Sequence, residues 1–353
     1  MSKQEIIFSQ NTEENLTKAI QQIPFDKLFI LTDENTQRFC VPLIQEINGI
    51  KGTEPILIGA GDIHKTLETL AFVWKTLGDQ GASRHSLLIN LGGGMVTDLG
   101  GFAASTFKRG IPYINIPTTL LSMVDASVGG KTGINFNGLK NEVGVFAPAR
   151  YVLIDTEFLK SLDRENLCSG YAEMLKHGLL SSEKHWAELI NFNIEHPDYH
   201  RLQDLVAQSV RIKEQVVEQD PFEKGIRKAL NLGHTVGHAF ESLALEQERP
   251  YLHGYAVAWG LVCELYFSCI KTNFPKDKLR QTVQFIKEHY GFFTFDCKQY
   301  DRLYELMTHD KKNDAGIINF TLLEGIGQIR INQSATKEEI FEMLDFYRET
   351  MGC

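Results

Sequence analysis

The sequence has few of the features that would place a protein in a membrane, outside the cell or on nucleic acid. Its six cysteines include no CxxC pair, and no apolar run reaches the ~20 residues needed to span a bilayer. The formal net charge is −9, which argues against general affinity for nucleic acid or anionic membranes. The opening MSKQEIIFSQ lacks the apolar core of a signal peptide. We therefore expect a cytoplasmic protein with reduced cysteines.

Two nucleotide-binding signatures are incomplete. The segment HSLLINL is followed by GGG (92–94) rather than by GxGxxG, and the cluster SVGGKTG (127–133) has Asp125 where a P-loop requires glycine. A Walker P-loop is therefore excluded. Backbone N–H groups in a GGG turn that opens a helix are still suited to the pyrophosphate of a dinucleotide, although tight packing would also explain the glycines.

The two halves of the chain have different patterns. Short apolar segments separated by helical patterns predict five strands in the first half, at 27–32, 54–59, 85–91, 113–116 and 151–155. The second half predicts helices at 163–179, 183–195, 199–219, 226–246, 254–272, 276–290, 299–308 and 337–351, with one strand-turn-strand at 317–332. Continuous apolar strands alternating with helices are typical of parallel sheets. We predict a Rossmann-like α/β domain with a mostly parallel sheet over residues 1–160, and a mainly helical, metal-binding domain over 161–353.

The segment LNLGHTVGHAFE places His234 and His238 on one face of a helix. Without the glutamate of HExxH, this spacing fits structural histidines as well as metal ligands. His253 opens the next helical segment, and GYAEMLKHG carries Glu173 and His177 on an earlier helix. One carboxylate and two imidazoles would form the His₂Glu set of a catalytic zinc. Spacing alone does not decide which two histidines take part.

Cationic and amide side chains accompany the glycine turns and the histidines. Any one of them is more often a solvated surface residue. Their number suggests a substrate with one or two anionic groups. They are Arg109, Lys131, Lys140, Asn141, Lys176, Lys213, Arg227, Asn231, Lys311 and Lys312.

Six motifs, within a stretch from about residue 60 to 315, resemble the 3-dehydroquinate synthase family of sugar-phosphate cyclases. They read GGGMVTDLGGFAASTFKRGIPYINIPTTLLSMVDASVGGKTGIN, LKNEVGVF, GYAEMLKHG, DPFEKGIRKALNLGHTVGHAFE, HGYAVAWG and DKKN. The resemblance implies NAD as cofactor, zinc or cobalt as metal, and a homodimer. The implied substrate is a sugar-phosphate keto acid, 3-deoxy-D-arabino-heptulosonate 7-phosphate, which is cyclised to 3-dehydroquinate with loss of phosphate.

The resemblance also implies roles for individual residues. The metal ligands would be Glu173, His234 and His253, and His238 would lie near the leaving phosphate. The implied catalytic residues are Lys131, Asn141, Lys176, His238 and Asp125. The implied substrate contacts are Lys213, Arg227, Asn231, one of Lys311 and Lys312, and Arg109 reaching the neighbouring subunit. The implied cofactor contacts are Asp33, Asn35, Asp62, Lys65, Gly93, Gly94, Asp98, Thr118, Thr119, Asp125, Lys131 and Lys140.

Two positions depart from the pattern of the family. Tyr255 stands where HGEAVA has glutamate, so the support of His253 by neighbouring side chains is in question. Asp62 stands where GExxK has glutamate, and we expect this shorter side chain still to reach a ribose of the cofactor.

Three other functions fit parts of the sequence. A related cyclase would take a sugar phosphate that lacks the carboxylate, and a polyol dehydrogenase would use the same metal and NAD without phosphate chemistry. A degenerate cyclase could act as a metabolite sensor. The implied carboxylate-binding residues favour the keto acid, and the group Lys131, Lys140 and Asn141 favours a phosphate.

Overall fold

The computed structural model describes residues 4–308 and 318–353, and the chain divides into two compact units. The first unit comprises the residues up to Asp163 together with Asp198–Val210, and the second comprises Arg164–Pro197 and Arg211–Cys353. Within the described ranges, no helix has the length and apolarity needed to cross a bilayer.

The first unit is built on a six-stranded sheet in which every neighbouring pair of strands is parallel. Its strands are β1 Glu5–Phe8, β2 Leu28–Asp33, β3 Ile56–Ile58, β4 Leu87–Gly92, β5 Tyr113–Pro117 and β8 Tyr151–Ile154. A separate antiparallel hairpin consists of β6 Lys131–Phe136 and β7 Leu139–Phe146. The helices are α1 Thr12–Gln21, α2 Glu34–Phe39, α3 Val41–Ile44, α4 Leu67–Asp79 and α5 Gly94–Thr106.

The prediction of an α/β fold with a mostly parallel sheet is confirmed, and all five predicted strands are present. Strands β4, β5 and β8 are buried along their whole length, as expected for strands covered on both faces. The sequence analysis missed β1, β6 and β7. Of these, β7 carries the run LKNEV with three consecutive polar residues, and every residue in the strand is exposed.

The strand order β1-β8-β5-β4-β2-β3 contains a reversal between β2 and β4. From β2 the chain moves to one side to form β3 and then crosses back to form β4 on the other side. The crevice at such a reversal, beyond the carboxyl ends of the strands, is where open α/β sheets bind ligands. Here Asp33 ends β2, and Gly92 ends β4.

The second unit is mainly helical, as predicted. Its elements are α6 Arg164–Ser181, α7 Glu183–Ile190, α9 His234–Glu246, α10 His253–Lys271, α11 Lys276–Tyr290, α12 Tyr300–Thr308, the antiparallel pair β9 Asn319–Gly325 and β10 Gln328–Ser334, and α13 Lys337–Met351. Helix α8, Tyr199–Gln219, begins in the first unit and ends in the second.

The prediction of one continuous helix over 226–246 is wrong. A 3-10 segment, Ile226–Asn231, precedes α9, and Gly233 lies between them with φ of 79°. This left-handed backbone cannot continue a helix, so the chain turns there. As a result, His234 becomes the first residue of α9.

Glycines bring three helices of the second unit into backbone contact. A Cβ on Gly260 of α10 would lie 2.0 Å from the carbonyl oxygen of Gly233, immediately before α9. A Cβ on Gly254, near the start of α10, would lie 1.8 Å from the carbonyl oxygen of Ser169 in α6. The Gly254 N–H also donates to Ser169 Oγ at 3.1 Å. Helices α6, α9 and α10 can therefore pack this closely only because these positions lack side chains.

We predict that Gly260→Ala lowers the free energy of unfolding by about 1–3 kcal/mol, because the added methyl group must displace a backbone carbonyl. Gly78→Ala is a matched control, since Gly78 lies in α4 and a Cβ there meets no atom within 4 Å. The control should be neutral or stabilise the chain by up to about 1 kcal/mol. Thermal unfolding of both variants measures the difference, and equal behaviour would contradict the close-packing interpretation.

Candidate active site

A buried carboxylate, Glu173 on α6, lies at the centre of the histidine cluster. Its side chain is fully buried, and its Oε1 atom lies 3.3 Å from His234 Nε2 and 3.6 Å from His253 Nε2. Its other oxygen, Oε2, accepts a hydrogen bond from Lys176 Nζ. His238 belongs to the same cluster, with its ring centroid 5.4 Å from that of His234 and 5.8 Å from that of His253.

The spacing of these atoms fits a divalent metal. Ligand atoms at about 2.0–2.1 Å from a tetrahedral zinc are about 3.3 Å from one another. Within the described parts of the chain, Glu173 Oε1 receives no well-aligned hydrogen bond, although two ring nitrogens face it. The donor set of one carboxylate and two imidazoles is that of catalytic zinc sites. Glu173, His234 and His253 could therefore hold a zinc or cobalt ion.

Both ring nitrogens that point away from Glu173 have acceptors nearby. His234 Nδ1 lies 3.1 Å from the carbonyl oxygen of Leu232, and His253 Nδ1 lies 3.4 Å from Glu241 Oε2. An acceptor at Nδ1 favours a proton on that nitrogen and leaves the Nε2 lone pair directed at the metal position. Both rings therefore direct Nε2 toward Glu173 Oε1, where a bound metal would displace any proton on Nε2.

The charges of the cluster keep Glu173 ionised. Burial alone would raise the pKa of Glu173, but Lys176 and His234 together lower this pKa well below its usual value. Burial likewise disfavours the charged form of His253, yet Glu173 and Glu241 raise the pKa of His253 to about 10. The negative charge of Glu173 is therefore compensated by positive charge on the neighbouring lysine and histidine side chains.

A second buried carboxylate fixes the start of α9. Glu264 of α10 accepts hydrogen bonds from the backbone N–H groups of Gly233 at 2.7 Å, Thr235 at 3.0 Å and Val236 at 3.3 Å. These are first-turn N–H groups that a helix cannot satisfy by itself, and Gly233 has no side chain to cap them. Glu264 thus replaces the missing cap and holds the start of α9, including His234, against α10.

The predicted catalytic and substrate-binding residues of the second unit include buried cations. Lys176 is 1 % exposed, Arg227 3 % and Lys213 6 %. The guanidinium of Arg227 donates to the carbonyl oxygen of Pro221 at 2.8 Å, and Asn231 Nδ2 donates to Glu223 Oε1 at 3.3 Å. Lysine and arginine are rarely buried to this extent, and Lys176 is paired with Glu173. Lys311 and Lys312 lie outside the described residues.

In the first unit, four predicted residues meet around Asn135. The buried Lys65 Nζ donates to Asp98 Oδ2 and to Asn141 Oδ1, each at 2.5 Å. Asn135 Oδ1 accepts from the N–H of Asn141 at 2.9 Å, and Asn135 Nδ2 donates to Asp62 Oδ2 at 3.0 Å. These hydrogen bonds link three segments: the loop that precedes α4, helix α5 and the β6–β7 hairpin. The predicted cofactor residues Asp62, Lys65 and Asp98 thereby lie next to Asn141.

A further set of predicted cofactor residues lies at the carboxyl ends of the parallel strands. Asp33 ends β2 and accepts from Thr36 N at 2.8 Å, which makes it the cap of α2. Gly93 and Gly94 open α5, where no side chain of the described residues caps the helix. Thr118 follows β5, and its N–H donates to Gly92 O at 3.0 Å. Uncapped N–H groups at such a helix start suit a pyrophosphate.

The remaining predicted residues of the first unit lie on turns and on the hairpin. Asn35 is exposed in α2, Thr119 bonds to Ser122, and Asp125 lies in a π-helical turn, Ser122–Ala126. Lys131 and Lys140 are exposed on β6 and β7, and Arg109 is exposed with φ of 69°.

Family profiles cover most of the chain. Residues 55–169 match the profile of the 3-dehydroquinate synthase N-terminal domain, and residues 170–313 match that of the C-terminal domain. The chain belongs to the 3-dehydroquinate synthase family. The resemblance drawn from the sequence motifs is therefore confirmed.

Full-length relatives support the same assignment. The 3-dehydroquinate synthase of Parabacteroides distasonis is 57 % identical over 352 residues, with 100 % of both chains covered. That of Streptococcus pyogenes is 34 % identical over 97 % of this chain and 95 % of its own. The solved 2-epi-5-epi-valiolone synthase of Streptomyces hygroscopicus, with NAD⁺ and Zn²⁺ bound, shares the fold with a TM-score of 0.88. That enzyme is 24 % identical, with 99 % of this chain and 98 % of its own covered.

The structure adds residues that the sequence analysis missed. Glu241 follows His234 by seven residues, which is two helical turns, so the spacing HxxxHxxE was available as a signal. Glu264 gave no such signal, because its partners are distant in sequence, and neither did Asn135, which bonds to Asp62 and to Asn141 on the opposite strand of the hairpin. His177, a candidate from spacing, is fully buried on α6 one turn after Glu173.

We predict that Glu264→Ala lowers the free energy of unfolding by about 3 kcal/mol or more, since it leaves several buried N–H groups without an acceptor. Glu264→Gln keeps one acceptor and should lose less. Glu342→Ala, at an exposed position of α13, is the control and should change stability by less than about 0.5 kcal/mol. Urea unfolding measures all three. A loss for Glu264→Ala no larger than that of the control would rule out the capping function.

Proposed function

We propose that this chain converts 3-deoxy-D-arabino-heptulosonate 7-phosphate to 3-dehydroquinate and phosphate. The observation that carries the proposal is the arrangement of Glu173 Oε1 between two imidazole nitrogens at the spacing of metal ligands, in a chain of this family. Membership of the family alone would leave open whether the chain has kept a working site.

The proposed cofactors are NAD and a divalent ion, zinc or cobalt. Glu173, His234 and His253 would hold the ion, and the strand ends at Asp33, Gly93 and Thr118 would hold NAD. When bound, these groups would supply the means for a transient oxidation, the ion as a Lewis acid at the oxygen of a secondary alcohol and NAD as a reversible acceptor of hydride. The temporary ketone makes the neighbouring C–H acidic, which allows phosphate to leave.

The chain's own contribution is to hold the anions of the substrate and to orient the ligands. The buried Lys213 and Arg227, with Asn231, are proposed to bind the carboxylate of the keto acid. On the hairpin, Lys131 and Asn141 are proposed to bind the phosphate. Hydrogen bonds to charged groups are worth about 1.5–3 kcal/mol each, so a few such contacts suffice to fix the substrate.

Lys176 has a different function in this proposal. Its ammonium group is hydrogen-bonded to Glu173 Oε2, so it compensates the buried charge and leaves Oε1 directed at the histidines. A lysine at this position keeps the carboxylate ionised, which a metal ligand requires. His238, one turn after His234, is proposed to hold the leaving phosphate.

The decisive experiment supplies the heptulosonate phosphate with a catalytic amount of NAD⁺. We expect release of phosphate and a product with the mass of 3-dehydroquinate, without accumulation of NADH, because the hydride returns to the substrate. His253→Ala should lose both bound metal and turnover. Net NADH formation would favour a polyol dehydrogenase instead. Turnover of sedoheptulose 7-phosphate, but not of the keto acid, would identify a different cyclase.

We further propose a cytoplasmic homodimer in which the β6–β7 hairpin contacts the second subunit. A two-stranded hairpin is only marginally stable in water, and exposed apolar patches mark interaction surfaces. Five apolar side chains on this hairpin are between 39 and 52 % exposed: Phe136, Leu139, Val143, Val145 and Phe146. Arg109 is proposed to reach the site of the neighbouring subunit.

We predict that Val143→Lys with Val145→Lys converts the dimer to a monomer, because two charges would have to be buried at the contact. Light scattering after gel filtration should give twice 40.0 kDa for the wild type and 40.0 kDa for the variant. Phe72→Lys, at an apolar position of α4 that is 49 % exposed, is the control and should remain dimeric. A wild-type mass of one chain would overturn the proposal.

A further inference from the structure

We infer that Glu241 is the positioning residue of His253, and that it supplies the carboxylate support that Tyr255 cannot provide. This inference rests on the proposed metal site. None of the predicted roles includes Glu241, and the tyrosine in HGYAVAWG leaves His253 without the glutamate that the family has at position 255.

The imidazole of His253 lies between two carboxylates. Its Nε2 is 3.6 Å from Glu173 Oε1, and its Nδ1 is 3.4 Å from Glu241 Oε2. A carboxylate at Nδ1 holds the proton there, fixes the rotation of the ring and makes Nε2 a better donor to a metal. The Glu241 side chain is 10 % exposed and that of His253 29 %, so the carboxylate end of this contact is largely shielded from water.

Tyr255 points elsewhere. Two residues along a helix correspond to about 200° of rotation, so positions 253 and 255 face nearly opposite directions. The Tyr255 ring packs edge-on against Tyr290, at 5.2 Å between centroids, and against Trp259, at 6.0 Å. A glutamate at position 255 would therefore also face away from the His253 ring. The support of His253 does not depend on which residue stands there.

The two histidines are supported in different ways. His234 Nδ1 lies next to a backbone carbonyl, that of Leu232, which substitution cannot remove. His253 depends on the Glu241 side chain. Because Glu241 lies two turns after His234, helix α9 provides one metal ligand directly and orients the other, which belongs to α10. The geometry of the site is thus sensitive to a single carboxylate outside the ligand set.

Glu241→Gln is the main variant, because it keeps the shape of the side chain and removes its charge; Glu241→Ala removes the contact altogether. Supporting residues of this kind typically contribute 10–100-fold to metal affinity. We expect Glu241→Gln to weaken binding of cobalt by about tenfold or more in competition with a chelator. The visible spectrum of the bound cobalt should change, and kcat should fall more than KM rises.

Two matched controls separate positioning from general stability. Glu246→Gln makes the same change on α9 at a surface glutamate that pairs with Arg302, and Tyr255→Phe removes the hydroxyl group of the tyrosine. Both should leave cobalt affinity and spectrum unchanged. Circular dichroism checks that each variant is folded, and if Glu241→Ala unfolds, Glu241→Gln decides the question.

The outcomes distinguish this inference from the proposed function. A wild type that binds no stoichiometric cobalt would overturn the metal site itself. A wild type that binds one ion, with Glu241→Gln equal to it in affinity and spectrum, would overturn only the positioning function. Loss of affinity in Tyr255→Phe as large as in Glu241→Gln would also contradict it, since the support would then come from position 255.

Discussion

The second unit depends on a full negative charge with no access to water. Removing an ionised carboxylate from solvent costs several kcal/mol unless cations and hydrogen bonds compensate it. Glu173 is compensated by Lys176 on one oxygen and faces two imidazoles with the other. The same arrangement leaves Glu173 Oε1 negatively charged. This oxygen is about as far from the two ring nitrogens as two ligand atoms of one metal ion are from each other. In the proposed metal site, folding stability and metal binding are thus coupled at one residue.

That coupling requires three helices to meet at backbone distance. Ser169 and Glu173 are one turn apart on α6, and the Ser169 hydroxyl group accepts from the second residue of α10. The contact places His253, the first residue of α10, close to Glu173. Further along α10, Gly260 allows the backbone of Gly233 to approach closely, and Glu264 accepts a hydrogen bond from Gly233 N–H. These contacts position the start of α9 and therefore His234. Small residues and buried carboxylates therefore determine where the imidazoles lie.

In the first unit, the topology of the sheet positions the predicted cofactor residues. The carboxyl ends of parallel strands lie at one edge of a sheet, and the strand order reverses between β2 and β4, which is where open α/β sheets bind ligands. Asp33 and the glycines after β4 lie at this edge because of the strand order alone. The cluster of Lys65, Asp98, Asn135 and Asn141 adds a fixed group of charges and amides that joins the hairpin to this unit.

The sequence alone determined the fold class, the five main strands, most helices and the family, because local periodicity or contiguous motifs indicate each of these. The family resemblance also named Glu173, His234 and His253, which spacing could not separate from His238 and His177. Only the tertiary structure decided that Gly233 breaks the helix before His234, and that Glu241 and Glu264 support the histidines. The spacing HxxxHxxE could have suggested Glu241, but its contact with His253 and the contact of Glu264 with Gly233 form where α9 and α10 approach each other, and no local pattern encodes that approach.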